Sequence, residues 1–157
     1  MINIVLYQPE IAANTGNIGR TCYLTNTKLH LIRPFGFILN DKTLRRVGLD
    51  YWEHVDLTVH DSFEDFIDYV GDSTVYIATT KASDYYTDVE FKDGDYIMFG
   101  RESSGVDDIV TKKYGHNNIK IQMREDTDRS LNVANCANII LYEALRQINF
   151  KTLRGVN

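Results

Sequence analysis

The chain has 157 residues, 43% of them hydrophobic and 25% charged, with a net charge of −5 and two cysteines. That is enough sequence for one hydrophobic core without a disulfide or a structural metal, and no apolar run approaches the roughly 18 residues of a membrane helix. The start, Met1-Ile2-Asn3-Ile4-Val5-Leu6-Tyr7, lacks a basic leader and a small-residue cleavage site, so a single soluble domain in the cytoplasm is expected.

Ile2 to Tyr7 reads as a buried strand, after which Asn14-Thr15-Gly16-Asn17 opens a helix through Leu24. Lys28 to Ile32 is a second strand, followed by the loop Arg33-Pro34-Phe35-Gly36-Phe37 and a short basic helix from Lys42 to Val47. Val55 to Val59 is a third strand. Asp61-Ser62-Phe63-Glu64 has capping-box spacing for a helix to Val70, with Phe63, Phe66, Ile67 and Val70 inward. Val75 to Thr79 and Tyr96 to Phe99 are buried strands, Val106 to Lys113 a weak helix, and Ile119, Ile121 and Met123 alternate as a last strand.

In the C-terminal helix, capped by Asn132 or Ser130, Val133, Cys136, Ala137, Ile140, Leu141 and Ala144 form one apolar face. Asn132, Asn135, Asn138 and Tyr142 fall within about 120° of one another on a second, uncharged polar stripe. Short amides there either tie the helix to neighbouring loops or meet a ligand's polar edge, and the stretch alone leaves both open.

Strands alternating with helices predict an α/β fold, a mainly parallel sheet with helices on both faces, whose ligands bind at the carboxyl ends of the strands. Three segments at those ends, Asn14 to Arg20, Gly100 to Gly105 and Arg124 to Asn135, are rich in Asn, Gly, Ser and Arg. None is a Walker loop or a Gly-x-Gly-x-x-Gly fingerprint, and no Gly-x-Ser-x-Gly elbow occurs. His30, His54, His60 and His116 have no ligand-like spacing with Cys22 and Cys136, so no metal is expected. Charge is uneven: residues 1–54 carry a net +2, residues 55–110 −11 and residues 111–157 +4, so an acidic total does not exclude RNA if the two ends meet in the fold.

Asn14-Thr15-Gly16-Asn17-Ile18-Gly19-Arg20, Phe99-Gly100-Arg101-Glu102-Ser103-Ser104-Gly105 and Arg129-Ser130-Leu131-Asn132 resemble, in order, the three motifs of the SPOUT (α/β-knot) RNA 2′-O-methyltransferases. Within that family the likeness is to the single-domain tRNA wobble-nucleotide enzymes of the TrmL type. It runs from Ile2 to about Gln147 and takes in Leu44-Arg45-Arg46-Val47-Gly48-Leu49-Asp50-Tyr51 and Asp93-Gly94-Asp95-Tyr96. The resemblance implies a C-terminal trefoil knot, S-adenosyl-L-methionine as cofactor, a homodimer with Tyr142 at its interface, and methylation of a wobble cytidine or uridine in the tRNA anticodon loop. Carried over, the cofactor positions are Ala78, Thr79, Gly100, Glu102, Ile121, Met123, Ser130, Leu131 and Asn135.

The family points to Arg20 as catalytic, with Asn14 nearby and Glu102 holding Arg20 or the Asn14 segment. On the residues alone, Arg20 reads as a surface arginine and Glu102 as an acid in a helix's first turn. Arg33, Lys42, Arg45 and Arg46 are expected to track RNA phosphates, while Phe35, Phe37, Tyr51 or Trp52 either stack on a splayed base or pack the core. The sequence departs from the family pattern in four places. Gln122 stands for Pro, one extra residue lies between Met123 and Arg129, Val106-Asp107 replaces Leu-Pro, and Ala134 replaces Ser. Two other readings remain: a ribosomal-RNA methyltransferase of the same superfamily, which usually carries an extra RNA-binding domain, and a non-catalytic RNA- or adenosine-binding knot protein.

Overall fold

The computed structural model describes residues 1–40, 42–43 and 50–153. The basic helix expected from Lys42 to Val47 lies mainly outside them, as do Arg45 and Arg46. Among the described residues, strands β1 (Asn3–Tyr7), β2 (Lys28–Ile32), β3 (Leu57–His60), β4 (Val75–Ala78), β5 (Asp84–Tyr85), β6 (Tyr96–Phe99) and β7 (Asn118–Lys120) form one parallel sheet in the order β3-β2-β1-β6-β4-β7-β5. Its helices are α1 (Ala12–Leu24), α2 (Phe63–Val70), α3 (Asp108–Tyr114) and α4 (Val133–Gln147).

The central strands are apolar on both faces because helices cover both. Val5, Tyr7, Ile32, Ile77 and Met98 pack on Phe63, Phe66 and Val70 of α2 and on Val110 and Tyr114 of α3. Ile4, Leu6, Leu29, Leu31, Ile97 and Phe99 point the other way, onto Ile18 and Cys22 of α1 and Ala137, Ile140, Leu141 and Ala144 of α4. Register follows the same division, Ile4 standing beside Leu29 on one side and Ile97 on the other. Between β1 and β6 the order of connections reverses, which opens a crevice at the carboxyl ends of those two strands.

Several boundaries differ from those read in the sequence. Helix α1 starts at Ala12, not Asn14, so the whole first motif, Asn14 to Arg20, lies inside it. Ser62, not Asp61, caps α2 by accepting from the Asp65 amide at 3.1 Å, which leaves His60 to finish β3. Helix α3 begins two residues later than expected, at Asp108. Strand β7 stops at Lys120, so Ile121 and Met123 lie beyond it in irregular chain. Strand β5 has two residues, too short to show as a pattern. Gly19 is required by packing, since a Cβ there would meet the Trp52 ring at 2.5 Å.

A buried polar chain crosses the α2 face of the sheet. Asn3 donates its amide to backbone carbonyls, so its Oδ1 accepts from His30 Nε2 at 3.2 Å; His30 Nδ1 then accepts from His60 Nε2 at 3.1 Å. Burial, followed by the neighbouring His60 and Lys28, pushes the His30 pKa down to about 3. An unfolded histidine titrates near 6.5, so the unfolded chain binds the extra proton between these values and stability is lost as pH falls through that window. Urea midpoints are expected to fall from pH 6.5 to pH 4, His30 contributing up to about 1.4 kcal/mol per pH unit. His30→Leu is expected to be less stable at pH 7 but to show a shallower pH dependence over the same range.

Candidate active site

The site is built where the carboxyl ends of β1 and β6 meet the start of α4. Glu102, three residues past β6, turns its carboxylate to the entry of α1. Its Oε2 accepts from the Glu10 amide at 2.8 Å, and its Oε1 accepts from the Ile11 amide at 3.1 Å and the Asn14 side-chain amide at 3.4 Å. Ile11 occupies the N-cap of α1 and has no side-chain cap of its own. Glu102 supplies that cap from across the fold, placing a negative charge where the helix dipole favours one. This explains why α1 starts before any local capping residue, and it removes the reading of Glu102 as an acid in its own helix.

Asn14 is 8% exposed and continues the chain of bonds. Its Oδ1 accepts from Asn132 Nδ2 at 3.0 Å, while Asn132 Oδ1 accepts from the Ala134 and Asn135 amides at 2.8 and 3.4 Å and caps α4. A carboxylate only accepts, so Asn14 must turn its NH2 to Glu102 and its oxygen to Asn132, which in turn must present its oxygen to the helix. One run of hydrogen bonds therefore joins the three motif segments, with every donor oriented toward Glu102. Asn132 was not among the candidate site residues because its capping role accounted for it locally; the stripe of amides on α4 was the available signal.

The second motif is itself a tight hairpin. Arg101 and Gly105 exchange backbone hydrogen bonds of 2.9 and 3.0 Å. A Cβ on Gly100 would lie 2.6 Å from Gly105 Cα and 2.8 Å from the Val106 nitrogen, so the hairpin itself demands the glycine. Arg101 donates to Gln8 Oε1 at 2.8 Å and pairs with Asp107, which also accepts from the Tyr7 hydroxyl at 2.5 Å. Arg101 and then Tyr7 hold the Asp107 carboxyl below the usual carboxylate range, while burial and then the Asp107 hydrogen bond push Tyr7 up to about 12. The Asp107 departure from the family pattern thus places a carboxylate that fastens the hairpin to β1. Ser103 adds a further tie, donating its amide at 2.9 Å and its hydroxyl at 2.7 Å to Glu10 Oε1.

Arg20 lies exposed on α1, its guanidinium carbon 5.7 Å from the centre of the Tyr51 ring. The Tyr51 hydroxyl donates to the Gly16 carbonyl at 2.9 Å, one turn before Arg20 on the same helix. The ring is also stacked on Tyr23, at 6.3 Å and 7°. Tyr51 is therefore the floor under Arg20, a role that the sequence did not single out. Among the described residues Glu102 holds the Asn14 segment and makes no bond to Arg20.

Ala78 ends β4 and Thr79 follows it, Gly100 follows β6, and Ile121 and Met123 follow β7, on three strands that are adjacent in the sheet. The Thr79 amide donates to the Ile119 carbonyl at 2.9 Å. Among the described residues the backbone from Ile121 to Leu131 makes no bond to other backbone; its Arg129 amide donates to Thr127 Oγ1 at 3.2 Å and its Leu131 carbonyl faces Cys136 Sγ at 3.8 Å. Ser130, Leu131 and Asn135 are exposed beside Asn132. At the departures from the family pattern, Gln122 donates to Thr87 at 3.2 Å, Arg124 pairs with Asp126, and Ala134 is buried. Elsewhere, Arg33 pairs with Asp61 at 3.4 Å and Lys42 is exposed. Tyr142, 49% exposed on α4, lies outside the hydrogen-bonded network. Among the described residues no group of three or more His, Cys, Asp or Glu is arranged to hold a metal, and no helix is long and apolar enough to cross a membrane.

A family model described as the SpoU rRNA Methylase family matches residues 1–142. A tRNA (cytidine(34)-2'-O)-methyltransferase of Escherichia coli K12 is 42% identical over 96% of this chain and 96% of its own. An RNA methyltransferase structure from Bacillus anthracis superposes with a TM-score of 0.91 at 43% identity, covering both chains completely. A structure concerned with 2-OH methylation of C/U34 on tRNA gives 0.88 at 41% identity over 95% of this chain and 97% of that one.

Glu102→Gln would place an NH2 against an N–H donor at whichever oxygen it replaced. It is expected to cost about 1–3 kcal/mol of stability in urea unfolding. Combined with Asn132→Ala, the loss should be less than additive by at least about 0.5 kcal/mol, because both belong to one run of bonds. Additive losses would show that the motif segments are held independently.

Proposed function

Because the chain belongs to the SpoU methylase family, we propose that it is an S-adenosyl-L-methionine-dependent tRNA methyltransferase acting on the 2′-hydroxyl of the wobble nucleotide, cytidine or uridine. The observation that carries this reading is the Glu102–Asn14–Asn132 chain, which holds three motif segments together with Arg20 on the helix of Asn14. Relatives of matching length are named for the same reaction at position 34.

The residues at the edge of β4, β6 and β7 suit that cofactor. Backbone between Ile121 and Leu131 that is not bonded to other backbone offers donors and acceptors for an adenosine, and Ile121, Met123 and Leu131 offer apolar contact. Ala78, Thr79, Gly100, Ser130 and Asn135 would complete the cradle, while Glu102 fixes its shape through α1. When bound, S-adenosyl-L-methionine supplies a methyl carbon on a positively charged sulfur that leaves as a neutral thioether.

The protein's part is to present the ribose hydroxyl in line and to favour loss of its proton, and orientation of this kind contributes about 7–11 kcal/mol. Arg20 orients the hydroxyl and the adjacent phosphate and stabilises the developing alkoxide; a guanidinium stays protonated at neutral pH and is a poor free base. Tyr51 holds that guanidinium over its ring. Asn14, fixed at both ends of its amide, keeps α1 and so Arg20 at a constant place relative to α4.

The same reading includes a single domain with a trefoil knot, in the cytoplasm, acting as a homodimer on an anticodon loop. The knot is supported by the path of the chain, which leaves β6 inside the sheet, reaches β7 near the edge and returns to pack α4 against α1. The dimer, with Tyr142 at its interface, is supported by Tyr23, Leu24, Ile139 and Tyr142, which are 38% to 63% exposed on these two helices. Arg33 and Lys42, with Arg45 and Arg46 outside the described residues, supply positive charge for RNA on an acidic chain.

Arg20→Ala is expected to abolish methyl transfer with cofactor affinity unchanged by calorimetry. Tyr51→Leu should slow it about 2- to 30-fold, in line with ~0.5–2 kcal/mol for a cation–π contact, and should have no further effect once Arg20 is gone. Tyr51→Phe, which keeps the ring, should restore most of the rate. Substrate is decided by mass spectrometry of RNA nucleosides from cells lacking and then regaining the protein. Wobble 2′-O-methylation should disappear and return, whereas a change confined to a ribosomal-RNA site would move the substrate to ribosomal RNA.

A further inference from the structure

The loop after β2 presents an aromatic stack that the methyl-transfer geometry does not use. The Phe35 and Phe37 rings lie 5.6 Å apart and within 13° of parallel, and the Arg33 guanidinium carbon is 5.0 Å from the centre of Phe35. Phe35 is rooted in the core on the α1 face, whereas Phe37 belongs to neither core cluster and is followed by Ile38, 71% exposed. A half-buried ring whose neighbour is in water adds little to folding, yet it is held parallel to a second, anchored ring. The loop is also fastened to the site. The Gly36 amide donates to the Pro9 carbonyl at 2.9 Å, and a Cβ on Gly36 would meet the Glu10 carbonyl oxygen at 2.6 Å. Glu10 is the residue whose amide Glu102 holds, so the stack and the Asn14 segment are positioned by the same carboxylate.

We propose that the Phe35–Phe37 stack, edged by Arg33, is a platform for one unstacked nucleobase of the substrate RNA, adjoining the nucleotide that is methylated. Aromatic faces accept any base, and a loop nucleotide is already free of a helix, so little unstacking is needed. Arg33, which shares its charge with Asp61 at 3.4 Å, and exposed Lys42 place cations on the same stretch for the flanking phosphates, on a chain whose total charge is −5. An RNA loop is favoured over an apolar protein partner because a guanidinium borders the rings and lies in reach of a phosphate. The inference rests on the RNA 2′-O-methylation reading and adds to it the place where the neighbouring base goes.

The test uses the full chain and two anticodon stem–loop RNAs carrying 2-aminopurine on the 5′ or the 3′ side of the wobble nucleotide. Wild-type protein should methylate the unlabelled stem–loop and quench one of the two labels on binding. Phe37→Ala and Phe37→Leu should both lose the quench and weaken RNA binding about 5- to 150-fold, the range for one base–aromatic stack, with unchanged affinity for S-adenosyl-L-methionine. The leucine variant keeps apolar volume without a π face, and unchanged thermal melts would show that folding is intact. If the wild type methylates the RNA but both variants bind and quench as it does, the platform is refuted while the enzyme reading stands. A change of oligomeric state in the variants, with RNA affinity retained, would assign the rings to contact between copies and refute it as well. If the wild type neither binds nor methylates the stem–loop, both readings fall.

Discussion

The Glu102 carboxylate is the constraint on which the site depends. It sits at the end of a central strand and accepts from two backbone amides and one side-chain amide of the segment that opens α1. Those donors come from the start of a helix, where four amides have no intrahelical partner and a negative charge is favoured. The interaction is therefore local chemistry carried out by a distant residue. Once it is made, the Asn14 oxygen is left needing a donor, and the Asn132 NH2 supplies it.

The consequence is a site whose three segments are joined through shared hydrogen-bond partners. Asn132 bonds to Asn14 and caps α4 with the same side chain, so the beginning of one helix is registered against the beginning of the other. Arg101, Asp107, Tyr7, Gln8 and Ser103 repeat the arrangement on the other side of the hairpin. Several modest hydrogen bonds, individually worth about 1 kcal/mol, give a fixed geometry because they share partners. Arg20 stands apart from this network, its guanidinium over the Tyr51 ring whose hydroxyl is tied to the same helix. Such a division suits a transfer reaction in which the cradle stays constant and the acceptor must be admitted and released.

The sheet explains how distant parts of the chain are brought to one edge. Strands β1 and β6 are neighbours though far apart in sequence, and α1 and α4 share one face. The first and last parts of the chain thus meet on the α1–α4 side, while Glu64, Asp65 and Asp68 lie on α2, across the sheet. Total charge says little about this; position in the sheet order decides it.

By itself the sequence determined the central strands, the course of α2 and α4, and the placement of Gly- and Asn-rich segments at strand ends, because each is a local pattern of apolar period, cap or turn. Its resemblance to a family located the motifs and Arg20. Tertiary structure alone decided that Glu102 caps α1 and that Asn14 meets Asn132, partners 92 and 118 residues apart with no joint signature in the chain. It also ended β7 at Lys120 rather than carrying it through Met123, since the alternation of Ile119, Ile121 and Met123 continues past the last residue with a neighbouring strand to pair. Tyr51 was ambiguous for a related reason: an aromatic residue near an arginine acquires a role only when the fold brings its face beneath that cation and ties its hydroxyl to the same helix. Local chemistry names the parts, and long-range pairing decides which of them form a site.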